Sequence, residues 1–336
     1  MRYTDTRQST SRISVHTFNS KKSSSKTILV VTGYDYFLQK NDLKRLLAKY
    51  AKIILVPRSV EDREFLVDIV APILSKNHNI HLVTNPTYDR QHQIIYQLSV
   101  NHSKIIEINT VFEFCEKYLR KIYVPESIDD AHPDTYSYKP FTWPVKFAKK
   151  IIDGFAGCIL LPITLPVWGI SAAVIKKQSP GSAFYTQTRL GLNAQEFDCV
   201  KFRSMRLDAE ANGARFASRN DDRIFPYGKF MRITRIDELP QLLNLIKGEI
   251  SLIGPRPERG VFVESFVEEI PYYQQRLLVK PGISGYAQVM YPYGSGVKDA
   301  RHKLMYDLYY IKNWSLGLEL EIVGRTLVTV LLSKGI

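Results

Sequence analysis

The chain has 336 residues, 45% of them apolar, which excludes a disordered polypeptide and suits about two domains. Lys and Arg outnumber Asp and Glu by 46 to 33, and the net charge of +13 fits a nucleic acid, an anionic membrane surface or a polyanionic substrate. The three cysteines (Cys115, Cys158, Cys199) are far apart and form no C-x-x-C, which argues against a zinc site and a disulfide framework and for a reducing compartment.

Residues 1–25 are rich in Ser, Thr, Lys and Arg and have no apolar stretch; they read as a disordered tail, not a secretory signal. From Thr27 strand-like and helix-like segments alternate. The runs TILVVTG (27–33), IILVP (53–57), NIHLV (79–83) and KIIEI (104–108) are separated by helical stretches such as NDLKRLLAKY, EDREFLVDIVAPIL and RQHQIIYQLS. Four such units predict an α/β domain over 26–121 with a parallel, Rossmann-like sheet. Of 18 glycines only Gly33 precedes Gly154, so no G-x-G-x-x-G is present to approach a pyrophosphate. A structural or regulatory domain is expected. Residues 122–142 mix Pro, Asp and Ser without periodicity and read as a linker.

The 21 residues from Phe155 to Ile175 carry no charge, with Lys146, Lys149 and Lys150 before them and Lys176 and Lys177 after. A straight helix of that length spans roughly 31 Å, about one hydrocarbon core. Pro162 and Pro166 each remove a backbone donor within the run. Charge on both flanks is also unlike a spanning helix, which keeps Lys and Arg on the cytoplasmic side. The favoured arrangement is a re-entrant helix hairpin over about 151–175; a full span and a buried soluble helix are the alternatives.

In RITRIDELPQLLNLIKGE (232–249), Leu239, Leu242, Leu243 and Ile246 fall on one predicted helix face, Asp237 stands at the N-cap position and Gly248 at the C-cap. Asp237 and Glu238 read either as a cap and a first-turn acid, or as a carboxylate pair beside Arg232 and Arg235 that could bind a divalent cation and attack phosphorus. In LIGPRPE (252–258) two prolines, in cis or trans, flank Arg256; this is a rigid phosphate-binding guanidinium or a surface turn. KFRSMR (201–206) crowds Lys201, Arg203 and Arg206, and Arg189 and Lys280 add charge near turns. Each alone is an ordinary solvated residue; their concentration in one domain suggests a polyphosphate substrate. The polar segment 208–223 reads as a solvated loop or a lid. Near the C-terminus, Tyr309, Tyr310, Trp314 and the following leucines suit a membrane interface or a core helix.

The segments SPGSAFYTQTRLG, KFRSM, RIDELPQLLN, GEISLIGPRPE, KPGISGYAQV and KLMYDLYYIKNWSLGLELEI follow the apolar hairpin in order. In them residues from about Lys146 to Ile336 resemble the bacterial sugar transferase family of monotopic phosphoglycosyl transferases. The resemblance implies that residues 143–336 form a mainly α (α+β) monotopic catalytic domain on the cytoplasmic face of the bacterial inner membrane. It implies a UDP-sugar donor, undecaprenyl phosphate as acceptor, contact with membrane lipids, Mg²⁺, and a ping-pong path through a covalent phosphosugar on the enzyme. Asp237 falls on the nucleophile and Glu238 on its Mg²⁺-contacting neighbour, with Asp237 and Glu238 together as the metal pair. Lys201, Arg203, Arg232, Arg256 and Lys280 fall among phosphate or donor binders. No nucleic-acid partner is implied, and homo-oligomer formation stays open. The N-terminal part resembles the Rossmann-like accessory domain of larger members. One departure concerns the hairpin: Leu165-Pro166, with Pro162 additional, stands where small members have Ser-Pro, so the serine hydroxyl bond to the helix is expected to be lost.

Overall fold

The computed structural model describes residues 5–10, 13–20, 25–34, 37–57, 60, 65–76, 78–85, 104–131, 138–209, 221–291, 294 and 296–331. They form two compact units, Met1–Glu126 and Ser127–Ile336. The predicted helix RQHQIIYQLS and the centre of the predicted lid, 210–220, lie outside the described residues.

The first unit is built on a six-stranded sheet in the order β1-β2-β4-β3-β5-β6. β3 (Thr27–Tyr34), β4 (Lys52–Pro57), β5 (Asn79–Thr84) and β6 (Ile105–Thr110) are mutually parallel, as the sequence predicts. Leu29, Val30, Val31, Ile53 and Val83 are almost fully buried, because a parallel sheet covered on both faces needs continuous apolar strands. Two expectations are corrected. The tail predicted to be disordered contributes β1 (Asp5–Thr10) and β2 (Ile13–Asn19), and β2 pairs antiparallel with β4. Val15, Thr17 and Phe18 are buried there; β-branched and aromatic residues supplied strand propensity that the Ser- and Lys-rich composition concealed. Ile122, Tyr123 and Val124, assigned to the linker, are buried in this unit, with Tyr123 edge-on to Phe37 and Phe112.

The second unit begins with one continuous helix, Trp143–Gln178, that contains both Pro162 and Pro166. It is long and apolar enough to cross a membrane. Ile163, Leu165 and Ile170 are 65%, 52% and 63% exposed, so the buried soluble helix is excluded. Neither proline divides the helix. Thr164 Oγ1 donates to the carbonyls of Leu160 (2.8 Å) and Leu161 (3.1 Å), so a hydroxyl bond persists here from the residue before Leu165. Both halves of the helix are fastened to the same unit. Lys149 Nζ donates to Ile253 O, Tyr310 OH and Glu319 Oε1 within 2.9 Å, and Asp153 Oδ1 accepts from Leu252 N. Gly157 lies against Ile246. Beyond the prolines, Trp168, Ala172 and Ile175 pack with Phe202, Phe225 and Met231, and Ser171 bonds Tyr227.

After this helix come an antiparallel pair, β7 (Phe184–Leu190) and β8 (Glu196–Phe202), and a parallel pair, β9 (Ser251–Ile253) and β10 (Gly282–Ser284), set among helices. The predicted helix face is revised. Leu242 and Leu245 enter the core with Phe197, Cys199 and Ile250, while Leu243 and Ile246 point outward, 36% and 52% exposed. The helix Gln241–Lys247 is apolar on two sides because the core lies on one and the long helix against part of the other. Near the C-terminus Tyr310 is buried, and the half-buried Trp314 donates its Nε1–H to Glu319. Leu316, Leu320, Leu327 and Val328 of the last helix, Leu316–Leu331, are the exposed ones.

Asn244 is fully buried and stitches that short helix to β8: its Oδ1 accepts from Val200 N, and its Nδ2 donates to Asp198 O and Glu249 Oε2. Asn244→Leu removes three hydrogen bonds made by a fully buried side chain and is expected to cost about 1–3 kcal/mol, read as a lower thermal midpoint of the purified protein. An unchanged midpoint contradicts this role.

Candidate active site

Three short segments converge on one carboxylate: Lys201 on β8, the turn Ile236–Glu238, and Arg256 in the loop after β9. Arg235 adopts a left-handed conformation (φ 61°, ψ 14°) that ends the helix Pro226–Thr234 and brings Asp237 and Glu238 round in a single tight turn. For a non-glycine residue this costs of order 1–2 kcal/mol, strain of the kind that collects at functional sites. The next helix starts only at Gln241, behind Pro240, so Asp237 is not its N-cap; Gly248 (φ 77°) does close it as predicted.

Arg256 is held at the end of an interlocked backbone. Gly254 and Gly282 approach so closely that a Cβ on either would lie within 2.5 Å of a backbone atom of the other segment. Only glycine fits there. Among the described residues no peptide bond is cis, so both X–Pro bonds of the loop are trans.

Glu238 is 6% exposed and is gripped by cations. Arg256 Nη2 donates to its Oε1 at 2.6 Å, Lys201 Nζ lies 3.4 Å from the same oxygen, and Arg235 Nη1 is 3.7 Å from Oε2. Burial alone would raise its pKa, but Arg256, Lys201 and Arg235 outweigh that and hold the carboxyl well below the usual range. Asp237 is the opposite case. Its Oδ1 is buried without a hydrogen-bond partner. Burial and then the adjacent Glu238 charge push its pKa up to about 6, against the pull of Lys201, Arg232 and Arg235. Lys201 has its own pKa lowered by burial, with Glu238 opposing. One acid is a fixed anion; its neighbour is a poorly solvated carboxylate exposed to positive potential.

The other sequence candidates divide. Arg232 joins the electrostatic environment of Asp237. Arg203 is buried, and its terminal nitrogens bind Ser179 Oγ (3.0 Å) and Ser179 O (2.8 Å), holding the end of the long helix. Lys280 Nζ lies beside Gly248, at the far end of the helix Gln241–Lys247 from the acid pair. Pro162, Leu165 and Pro166 lie mid-helix, away from these charges in sequence. Arg235, named only as a neighbour in the motif, is part of the site. Arg276 Nη2 donates to Arg256 O at 2.8 Å, a role nothing in its sequence surroundings signals.

A resident magnesium ion needs few protein ligands, one or two carboxylates with substrate phosphates and water completing the octahedron. Among the described residues no cluster of three or more acids, histidines and cysteines exists. The buried Asp237 Oδ1, which has no hydrogen-bond partner, would suit one ligand position of such an ion completed by phosphate and water oxygens.

Comparison with known proteins gives the same part of the chain. A model of the bacterial sugar transferase family matches residues 144–333, more than half of the chain. The chain is 46% identical over 189 residues to a UDP-N-acetylgalactosamine-undecaprenyl-phosphate N-acetylgalactosaminephosphotransferase of Aeromonas hydrophila, covering 56% of this chain and 45% of that one. It thus spans less than half the length of that relative. It is 44% identical over 151 residues to a putative undecaprenyl-phosphate N-acetylgalactosaminyl 1-phosphate transferase of Bacillus subtilis, covering 45% of this chain and 83% of that one. It is 37% identical over 189 residues to a UDP-glucose:undecaprenyl-phosphate glucose-1-phosphate transferase of Caulobacter vibrioides, covering 56% and 71%. Asp237, Glu238, Lys201 and Arg256 all lie within the matched region, and the chain belongs to the bacterial sugar transferase family.

Proposed function

We propose that the protein is a phosphoglycosyl transferase that moves a sugar-1-phosphate from a UDP-sugar to undecaprenyl phosphate, yielding undecaprenyl-diphospho-sugar and UMP. This is the first membrane step of an exopolysaccharide, capsule or O-antigen pathway. The observation that carries it is the asymmetry of the acid pair: Glu238 neutralised by cations, Asp237 with a buried oxygen that has no hydrogen-bond partner. A non-catalytic scaffold has no use for that arrangement, which costs stability.

Asp237 Oδ1 attacks the sugar-bearing phosphorus of the donor. The new P–O bond forms as the diphosphate bridge breaks, and UMP leaves with the bridging oxygen. A lipid phosphate oxygen then attacks the same phosphorus and releases the carboxylate. Arg256 and Lys201 take up charge on the phosphates, and Glu238 keeps both oriented. Magnesium, held by Asp237 and Glu238 with the diphosphate, would supply further charge neutralisation.

The acceptor phosphate sits at a bilayer surface, so the site must be held there. A 36-residue helix is about 54 Å long; fastening its two halves to one unit supports a re-entrant, monotopic arrangement over a crossing. Re-entrance would come from a bend at Pro162 and Pro166 within a continuous helix. The catalytic unit would then lie on the cytoplasmic face of the inner membrane, with Leu316, Leu320, Leu327 and Val328 meeting the interface. In the first unit the parallel order β4-β3-β5-β6 supports a Rossmann-like accessory domain without a dinucleotide site.

Asp237→Asn should abolish UMP release from UDP-sugar. It should also raise the thermal midpoint at pH 7 in magnesium-free buffer. The sign follows from linkage: with a folded pKa near 6 against 3.8 in the reference state, the folded protein binds more protons between these values, so stability falls as pH rises through that window. The gain from Asn should therefore vanish below about pH 4. Near wild-type turnover in Asp237→Asn overturns the nucleophile assignment, and a stability gain that does not depend on pH overturns the electrostatic account. For topology, single cysteines introduced at Trp143 and Gln178 in a cysteine-free background should both react only from the cytoplasmic side; reaction of one from the periplasm means a crossing helix.

A further inference from the structure

The loop that carries Arg256 cannot hold itself. Pro255 and Pro257 have no N–H, so the segment can join neither a helix nor a ladder as donor at those positions. It is held instead by its carbonyls, which bond to three separate elements: β7, β10 and the turn that carries Arg276. Pro255 O accepts from Gly282 N (2.9 Å) and Glu258 O from Leu190 N (3.0 Å). The two carbonyls between are taken by side chains: Arg276 Nη2 bonds Arg256 O at 2.8 Å, and Arg189 Nη1 bonds Pro257 O at 2.9 Å.

These guanidiniums are themselves fixed. Arg276 is 6% exposed, and its other bonds go to Tyr273 OH (2.8 Å) and Asp307 Oδ2 (3.1 Å). Arg189 reaches Gln187 Oε1 on the same strand and pairs with Glu258 Oε2 at 3.6 Å. A carbonyl needs only a neutral donor, and burying a charge to supply one is costly. A buried Arg276 and a half-buried Arg189 on adjacent carbonyls make sense where positive potential is wanted as well as a bond.

We propose that Arg189 and Arg276 are positioning residues for the transfer reaction. They clamp the loop backbone so that the Arg256 guanidinium points at Glu238 and at an incoming diphosphate, and they touch neither substrate themselves. This rests on the functional reading above and names the residues that set its phosphate-binding geometry.

The test is a double-mutant cycle between Arg276→Gln and Arg256→Ala, read in two ways: kcat/KM for UMP release, and affinity for inorganic pyrophosphate in the Asp237→Asn protein, where no chemistry occurs. Alone, Arg276→Gln should lower kcat/KM by about 10- to 100-fold, the usual cost of displacing a binding group by an ångström. In the Arg256→Ala background it should cost less than about 2-fold, because a residue that acts only through Arg256 has nothing left to position. A merely structural role gives losses that multiply, in both readouts, and overturns the proposal. If Arg276→Gln does not fold, the same cycle with Arg189→Gln decides on the same criterion. Non-additive pyrophosphate binding with no UMP release from the wild-type protein would uphold the clamp and sink the transferase reading. Normal UMP release with additive losses would do the reverse.

Discussion

The hydrogen-bonded ion pair between Glu238 and Arg256 is the interaction on which the rest of the site depends. A carboxylate that is 6% exposed stays ionised only because Arg256, Lys201 and Arg235 surround it. Its fixed negative charge then acts on its neighbour. Asp237 meets burial and a like charge together, which is how two adjacent carboxyls of the same chemistry come to have opposite properties. The folded chain tolerates an anion it does not solvate, and that is the group the proposed chemistry uses.

Everything around the pair serves to hold it in register. Arg235 accepts left-handed strain to place the two acids in one turn. Asn244 fixes β8, and so Lys201, to the helix that follows them. Gly254, just after β9, and Gly282 at the start of β10 permit a backbone contact that no side chain could share, and Arg256 follows directly after it. The long helix joins the same structure twice: through Lys149 and Asp153 to the strand before Arg256, and through Gly157 to the helix after the acid pair. The long helix is thus braced against both halves of the site.

Much of this was legible in the sequence, for physical reasons. The parallel strands were visible because burial on both faces demands unbroken apolar runs. The acid pair, Lys201 and Arg256 stood out as charges concentrated near turns, but that pattern left ordinary caps and solvated residues open, and only the family resemblance gave them roles. Other features were concealed. β2 lies in a polar stretch whose few β-branched residues suffice once an edge of β4 is available. The face of Gln241–Lys247 was misassigned because a helix between a core and another helix is apolar on two sides, and spacing alone cannot tell which is inside. Arg203 looked like a phosphate binder, but its guanidinium holds Ser179. Arg276 and Asn244 act through contacts between segments 20 and about 45 residues apart, which no local pattern encodes.

The central claim is that Asp237 carries the phosphosugar between donor and acceptor. Intact protein mixed with a UDP-sugar, quenched before acceptor is added and mapped by peptide mass, should show a sugar-phosphate adduct on the peptide containing Asp237, and the adduct should disappear when undecaprenyl phosphate is supplied. UMP release that requires both substrates together, with no adduct at any time, would mean direct displacement and would contradict the account.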